Sequence, residues 1–96
     1  MYGDFTVMVD DCVGQILARL DELELANNTL VIFTSDNGPV WYPEDVNTFE
    51  HRSAHMLRGR RLGPYEGGHR VPFIVRWPGL VQAGKTSSDM IFHTDV

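Results

Sequence analysis

The stretch that most constrains the fold is a short uncharged run that ends abruptly in a polar turn. Residues 30–34 (Leu-Val-Ile-Phe-Thr) are apolar or β-branched, and residues 35–39 (Ser-Asp-Asn-Gly-Pro) follow at once. Such a run is typical of a strand buried on both faces, as in a parallel sheet. The Gly-Pro pair cannot continue a strand. The sequence therefore predicts a strand over residues 29–34 with Asp36 and Asn37 just beyond its carboxyl end.

The position of Asp36 and Asn37 makes them candidate ligands of a divalent cation. In open α/β sheets, ligands bind just outside the carboxyl ends of the strands. A carboxylate and an amide oxygen are ligands that a hard cation such as calcium prefers. The same Asp-Asn-Gly composition is also common in plain turns. On local sequence alone, a cation site and a simple turn are both open interpretations.

The first part of the chain predicts one amphipathic helix over residues 6–25. Its apolar positions follow helical spacing: Val9, Val13, Ile16, Leu17, Leu20 and Leu23. Gly14 disfavours a helix interior, so we expect close packing there. Cys12 lies beside the apolar face and is expected to be a small core residue. Asn27 and Asn28 are expected to end the helix, because Asn tolerates the left-handed conformation.

The rest of the chain alternates between irregular and apolar segments. Residues 38–56 show no period and predict a long loop, which in a compact domain is usually functional or disordered. Residues 71–77 predict a second strand. Residues 88–92 predict either a third short strand or the approach to another helix, with Thr94 or Asp95 as a candidate N-cap.

A basic segment precedes the second strand and is a candidate anion site. Arg58, Arg60 and Arg61 lie within four residues and are followed by a Gly-Gly pair. Guanidinium groups bind sulfate and phosphate oxygens in pairs. A solvated basic loop is the alternative. Glu66 and Arg70 flank the glycine pair and can form an ion pair across it, which would make them structural.

Composition excludes several classes of function. The chain has 96 residues, enough for one domain, and a net charge of −5, which argues against nucleic acid as the main partner. No stretch is apolar and long enough to predict a membrane span. The single cysteine excludes an internal disulfide. His51 and His55 have the spacing of a zinc pair on a helix, but nothing in the sequence completes such a site.

Several motifs coincide in order along the chain. They are residues 13–17 (Val-Gly-Gln-Ile-Leu), 28–39 (Asn-Thr-Leu-Val-Ile-Phe-Thr-Ser-Asp-Asn-Gly-Pro), 57–59 (Leu-Arg-Gly), 65–72 (Tyr-Glu-Gly-Gly-His-Arg-Val-Pro) and 76–79 (Arg-Trp-Pro-Gly). Together these motifs resemble the type I sulfatases, the arylsulfatase family of the alkaline-phosphatase-like superfamily. The resemblance covers nearly the whole chain and points to the later part of the catalytic domain.

The resemblance implies an α/β fold, a fragment of a sulfatase-type, alkaline-phosphatase-like sheet with flanking helices. Residues 1–96 would form a partial catalytic domain, truncated at both ends. The implied activity is hydrolysis of sulfate esters by a metal-assisted formylglycine nucleophile. The Cys/Ser-x-Pro-x-Arg motif that supplies formylglycine is absent, because Cys12 stands in Asp-Cys-Val-Gly-Gln. We therefore expect no catalytic nucleophile in this chain and no activity of the fragment alone.

Two parts of the site carry over from the family by position. Asp36 and Asn37 match the pair that binds the active-site cation, usually calcium, with magnesium as the other candidate. Arg61 matches the lysine that binds the substrate sulfate. Arginine keeps the positive charge, but its guanidinium is planar and differently shaped. The remaining cation ligands would lie outside this chain, and the helical pair Asp10–Asp11 is not equated with them.

Two other functions are alternatives to the sulfatase interpretation. One is a phosphohydrolase of the same superfamily, which would use a Ser or Thr nucleophile and two zinc ions. The other is a non-catalytic α/β module that binds an anion at its arginine loop. The resemblance implies as partners a sulfated small molecule or glycan and the rest of the sulfatase domain. It also implies a secreted or periplasmic location, or a lysosomal one in a eukaryote.

Overall fold

The computed structural model describes residues 2–96, which form helices, two short strands and connecting turns. The helices are α1 (Tyr2–Glu22), α2 (Pro43–Phe49) and α3 (Glu66–His69), the strands are β1 (Val31–Thr34) and β2 (Phe73–Arg76), and short 3₁₀ turns cover Ala26–Asn28 and His93–Asp95. The chain divides into two compact units. One contains the residues up to Val31 together with Arg76–Val96, and the other contains Ile32–Val75.

Helix α1 confirms the predicted helix but ends earlier than expected. The residue that leaves the helix in the left-handed conformation is Glu24, with φ of 56°, and not an asparagine. The Leu25 amide donates to the Leu20 carbonyl at 2.9 Å, and the Glu24 amide donates to the Asp21 carbonyl at 3.1 Å. These two bonds form a Schellman motif, which satisfies carbonyls at the helix end. The expectation that Asn27 would end the helix is therefore wrong.

Strands β1 and β2 pair in a two-stranded antiparallel sheet. The expectation of parallel strands is therefore wrong. Beyond the strands, the Gly38 amide donates to the Gly68 carbonyl at 2.9 Å, so the chain leaving β1 lies beside the chain entering β2. An apolar run predicts a strand but does not specify its direction. Residues 31–33 are half-buried and Thr34 is exposed, so β1 is less buried than a central parallel strand.

The segment predicted as one long loop contains a helix, α2, that the sequence reasoning missed. Pro43 occupies its first turn, where a missing amide costs nothing. The Asp45 carboxylate accepts a hydrogen bond from the Tyr42 amide at 3.2 Å, which satisfies the helix start. Glu50, with φ of 52°, ends the helix in the left-handed conformation. A proline such as Pro43 at the first helical position is itself a signal of a helix start, which the loop prediction for residues 38–56 did not use.

Within the unit that contains α1, side chains of the last residue of β2 and of the residue after it hold the end of the helix and the turn that follows it. The Arg76 guanidinium pairs with the Asp21 carboxylate at 2.9 Å, and Trp77 Nε1 donates to the Asn27 carbonyl at 3.0 Å. Residues 88–92 form no strand. They lead into the 3₁₀ turn, where the Phe92 amide donates to the Asp95 carboxylate at 2.6 Å.

No apolar side chain among residues 2–96 is fully buried. Cys12 is exposed, and a Cβ built on Gly14 would meet nothing within 4 Å. The expectations of a core cysteine and of close packing at Gly14 are both wrong for this structure. Among the helices that the structure describes, none has the length and apolarity to cross a membrane.

Candidate active site

Backbone hydrogen bonds join the three motifs that the sequence singled out, all within the unit Ile32–Val75. The Gly38 amide, next to the Asp-Asn pair, donates to the Gly68 carbonyl in the glycine pair at 2.9 Å. The Arg61 amide, in the basic segment, donates to the Pro39 carbonyl at 3.1 Å. The turn after β1 is therefore bonded to both of the other motifs.

Three buried glycines allow this close approach, and we call Gly38, Gly67 and Gly68 the glycine cluster. A Cβ on Gly38 would overlap the Gly67 carbonyl, and one on Gly67 would overlap the Gly59 carbonyl and lie 2.7 Å from the Arg58 carbonyl. The Gly67 amide also donates to the Arg58 carbonyl at 2.8 Å. Because backbone meets backbone here, any side chain at these positions would force the segments apart.

The Asp-Asn turn leaves two oxygen donors available. Asp36 is exposed, and no partner for its carboxylate is found among residues 2–96. The Ser35 hydroxyl donates to the Asn37 carbonyl at 3.0 Å and holds the turn. The Asn37 side-chain nitrogen donates to the Gly38 carbonyl at 3.2 Å, which leaves its amide oxygen as the group that can bind a ligand.

The Asp36 carboxylate and the Asn37 amide oxygen are suitable as two of the ligands of a calcium or magnesium ion. Both groups are hard oxygen donors on adjacent residues, which suits such cations. Calcium takes about six to eight oxygens, so Asp36 and Asn37 supply only part of a coordination shell. No group of three or more His, Cys, Asp or Glu side chains within residues 2–96 is arranged to hold a metal ion.

Two of the three clustered arginines are engaged with aromatic rings. The Arg58 guanidinium lies 3.7 Å from the centre of the Tyr65 ring. The Arg60 guanidinium lies 4.8 Å from the centre of the Tyr42 ring and donates to the Trp41 carbonyl at 3.5 Å. Such cation–π contacts stabilise an arginine in one place. These two arginines therefore shape the loops around the site.

Arg61 differs from its two neighbours. Its backbone is fixed by the bond to Pro39, but its guanidinium is exposed and finds no partner among residues 2–96. It is thus the arginine of the segment that is free to bind an anion. Glu66 and Arg70 form the predicted ion pair at 3.4 Å. Both side chains are exposed, so this pair contributes little to stability.

The two histidines do not share a helix face. Helix α2 ends at Phe49, and His55 has a left-handed backbone with φ of 53°. The His51 carbonyl accepts a hydrogen bond from Trp41 Nε1 at 2.7 Å, and the His51 ring meets the Trp41 ring edge-on at 5.4 Å between centres. Sequence reasoning did not foresee this arrangement, and the only signal was the scatter of aromatic residues along an apparent loop.

Comparison with known proteins shows which family the chain belongs to. The family model described as Sulfatase matches residues 1–96. The chain is 43% identical over 90 residues to N-acetylgalactosamine-6-O-sulfatase of Bacteroides thetaiotaomicron, an alignment that covers 86% of this chain and 17% of the relative. It is also 43% identical over 96 residues to steryl-sulfatase of Rattus norvegicus, covering 99% of this chain and 17% of the relative.

The chain belongs to the sulfatase family. A third relative, N-acetylgalactosamine-6-sulfatase of Homo sapiens, is 40% identical over 91 residues, covering 93% of this chain and 16% of the relative. The chain thus spans about one sixth of the length of these curated relatives. No solved structure matches the chain significantly.

Proposed function

We propose that this chain is part of the catalytic domain of a sulfuric ester hydrolase, in which it supplies cation ligands and a sulfate-binding arginine. Asp36 and Asn37 would bind calcium or magnesium, and Arg61 would bind the sulfate. The nucleophile, a formylglycine, would lie outside these residues. The two strands would belong to a larger alkaline-phosphatase-like sheet, and the enzyme would work in an exported or lysosomal compartment.

One observation carries this proposal. The Arg61 amide is bonded to the Pro39 carbonyl, two residues beyond Asn37. The turn that carries Asp36 and Asn37 is therefore hydrogen-bonded to the segment that carries the unpartnered Arg61 guanidinium. Hydrolysis of a sulfate ester requires positive charge around the sulfate oxygens as negative charge develops. The cation and the Arg61 guanidinium would together supply that charge.

The roles of the three residues follow from their chemistry. A bound cation would polarise the sulfate and help to activate the nucleophile. The Asp36 carboxylate and the Asn37 amide oxygen would hold that cation, and the Ser35 and Gly38 bonds keep the turn in shape. Arg61 would donate to the sulfate oxygens through its planar guanidinium, which can form two parallel hydrogen bonds.

The first experiment tests the reaction class. The full-length product of the reading frame that contains these residues is assayed with 4-methylumbelliferyl sulfate and with the matching phosphate ester, with calcium present. We expect the sulfate ester to be hydrolysed with the larger kcat/KM. Preference for the phosphate would favour the phosphohydrolase alternative. Hydrolysis of neither ester, with anion binding retained, would favour a non-catalytic module.

The second experiment tests Arg61 by two substitutions. Arg61→Ala removes charge-assisted hydrogen bonds worth about 1.5–3 kcal/mol, so kcat/KM for the sulfate ester should fall by about 10- to 100-fold. Arg61→Lys keeps the charge and should recover most of that loss. Equal loss in both variants would show that the guanidinium shape, and not its charge, is required. An unchanged kcat/KM in Arg61→Ala would remove this residue from the site.

A further inference from the structure

A pocket beside the candidate active site has a lining that suits an acidic ligand. It lies within the unit Ile32–Val75 and has a volume of about 490 Å³. That volume falls in the range of about 300–1,000 Å³ that small-molecule sites occupy. Pro39, Gly59 and Arg60 contribute to its wall. The pocket is therefore built partly from the same backbone that carries Asn37 and Arg61.

The ionisable side chains that line this pocket are arginines and one histidine. Arg52, His55 and Arg60 line it, and no aspartate or glutamate does. The whole chain, in contrast, carries 13 acidic residues and 8 lysines and arginines. The Arg52 guanidinium is exposed and finds no partner among residues 2–96. A pocket that gathers positive charge in an acidic chain favours an anion.

The other walls add a flat apolar surface. Trp41, Val46 and Leu57 line the pocket together with the polar Asn47. Trp41 is held in place by the bond from its Nε1 to the His51 carbonyl. An aromatic wall beside hydrogen-bonding groups suits a ligand with one apolar face and several polar substituents. A pyranose ring has this character.

A steroid fits this pocket poorly on the same grounds. Burying a hydrocarbon skeleton against Arg52 would take a charged group that has no partner among residues 2–96 out of water, which is costly. A ligand with a carboxylate or a second sulfate would pair with Arg52 in the two-bond geometry that guanidinium groups prefer.

We propose that this pocket binds the organic part of the ester, and that the substrate is a sulfated saccharide carrying a second acidic group. This inference rests on the proposed function for the sulfate itself. The sulfate would be held by Arg61 and by the cation bound at Asp36 and Asn37, while Arg52 would bind the second acidic group. Arg52 therefore sets specificity and takes no part in the cleavage of the ester bond.

The test compares Arg52→Gln with the control Arg19→Gln in the full-length product. Arg19 lies on α1, outside the pocket, and its guanidinium pairs with the Glu22 carboxylate at 2.8 Å. For each variant, kcat/KM is measured with a sulfated disaccharide that contains a uronate and with 4-methylumbelliferyl sulfate. We expect Arg52→Gln to lower the ratio of the two values by about 10-fold or more. Arg19→Gln should leave the ratio as it is.

A binding measurement separates this inference from the proposed function. The desulfated disaccharide, which cannot be hydrolysed, is titrated by calorimetry into the wild-type protein and into Arg52→Gln. We expect the variant to bind it at least about 10-fold more weakly. Binding that depends on Arg52 without hydrolysis of any sulfate ester would support the pocket and contradict the sulfatase proposal.

Two results would overturn the inference while leaving the sulfatase proposal intact. One is an unchanged substrate ratio in Arg52→Gln together with unchanged binding of the desulfated disaccharide. The other is a larger kcat/KM for oestrone sulfate than for the uronate-containing disaccharide.

Discussion

Helix α1 and the glycine cluster are held together in opposite ways. Helix α1 is 21 residues long, follows a clear apolar period and buries none of its side chains completely. Phe5, Val7 and Ile16 are each about 60% exposed. The glycine cluster has no side chains, yet among residues 2–96 its three members are the buried residues. The regular element is thus the less packed of the two, and the irregular one is fixed by backbone contacts.

The difference shows where each region obtains its stability. A helix forms from local hydrogen bonds and needs its apolar face covered only to become more stable. The turn after β1 has no repeating backbone hydrogen bonds of this kind, and its local bonds are those of the Ser35 hydroxyl and the Asn37 side chain. It is held by bonds from Gly38 to Gly68 and from Arg61 to Pro39, which join residues far apart in the sequence. A substitution in the glycine cluster should therefore disturb the structure of the candidate site, whereas a substitution on α1 should not.

The largest effect is expected from removing the charge at Asp36. Asp36→Asn keeps the size of the side chain but weakens its bond to a cation. Even the loss of a residue that only hydrogen-bonds to a metal ligand typically lowers metal affinity or activity by about 10- to 100-fold. We expect kcat/KM for a sulfate ester to fall by more than about 100-fold, with weaker calcium binding by calorimetry. Asp11→Asn on α1 is the control and should change activity less than about 2-fold. Similar losses of kcat/KM in Asp36→Asn and Asp11→Asn would mean that the turn after β1 is no more important for activity than helix α1.

A smaller but definite effect is expected from a methyl group in the glycine cluster. In Gly67→Ala the new Cβ would overlap the Gly59 carbonyl and press on the Arg58 carbonyl. Overpacking of this kind typically costs about 1–3 kcal/mol. Urea denaturation of the full-length product should show that loss in the free energy of unfolding. Unchanged stability would show that the backbone segments can separate without cost.

The sequence predicted the elements with local signals and missed those that depend on distant contacts. The periodic apolar residues predicted α1, and the two apolar runs predicted both strands. Nothing in a four-residue strand specifies whether its neighbour runs parallel or antiparallel, so the direction of pairing was wrong. Helix α2 was missed because its seven residues are too few to show an apolar period, although Pro43 and Asp45 together mark a helix start.

The candidate site was predictable as a list of residues but not as an arrangement. Asp36, Asn37 and Arg61 were chosen from the positions they share with family motifs, and their roles stay predictions. The bonds that join their segments run between backbone atoms, from the Gly38 amide to the Gly68 carbonyl and from the Arg61 amide to the Pro39 carbonyl. Every residue has a backbone carbonyl, and every residue except proline has an amide N–H, so no sequence pattern distinguishes such bonds. The pocket beside the site was not foreseen, because its residues share no period.

The smallest effect, and the one of opposite sign, is expected from the same substitution on α1. A Cβ on Gly14 would meet nothing within 4 Å, and α1 continues on both sides of this residue. Alanine is favoured over glycine in an exposed helix by about 1 kcal/mol. Gly14→Ala should therefore raise the free energy of unfolding by up to that amount in the assay used for Gly67→Ala. A loss of stability would instead show that another part of the full-length protein packs closely against Gly14. In that case α1 would resemble the glycine cluster, and its exposed apolar face would be an interface between parts of the complete protein.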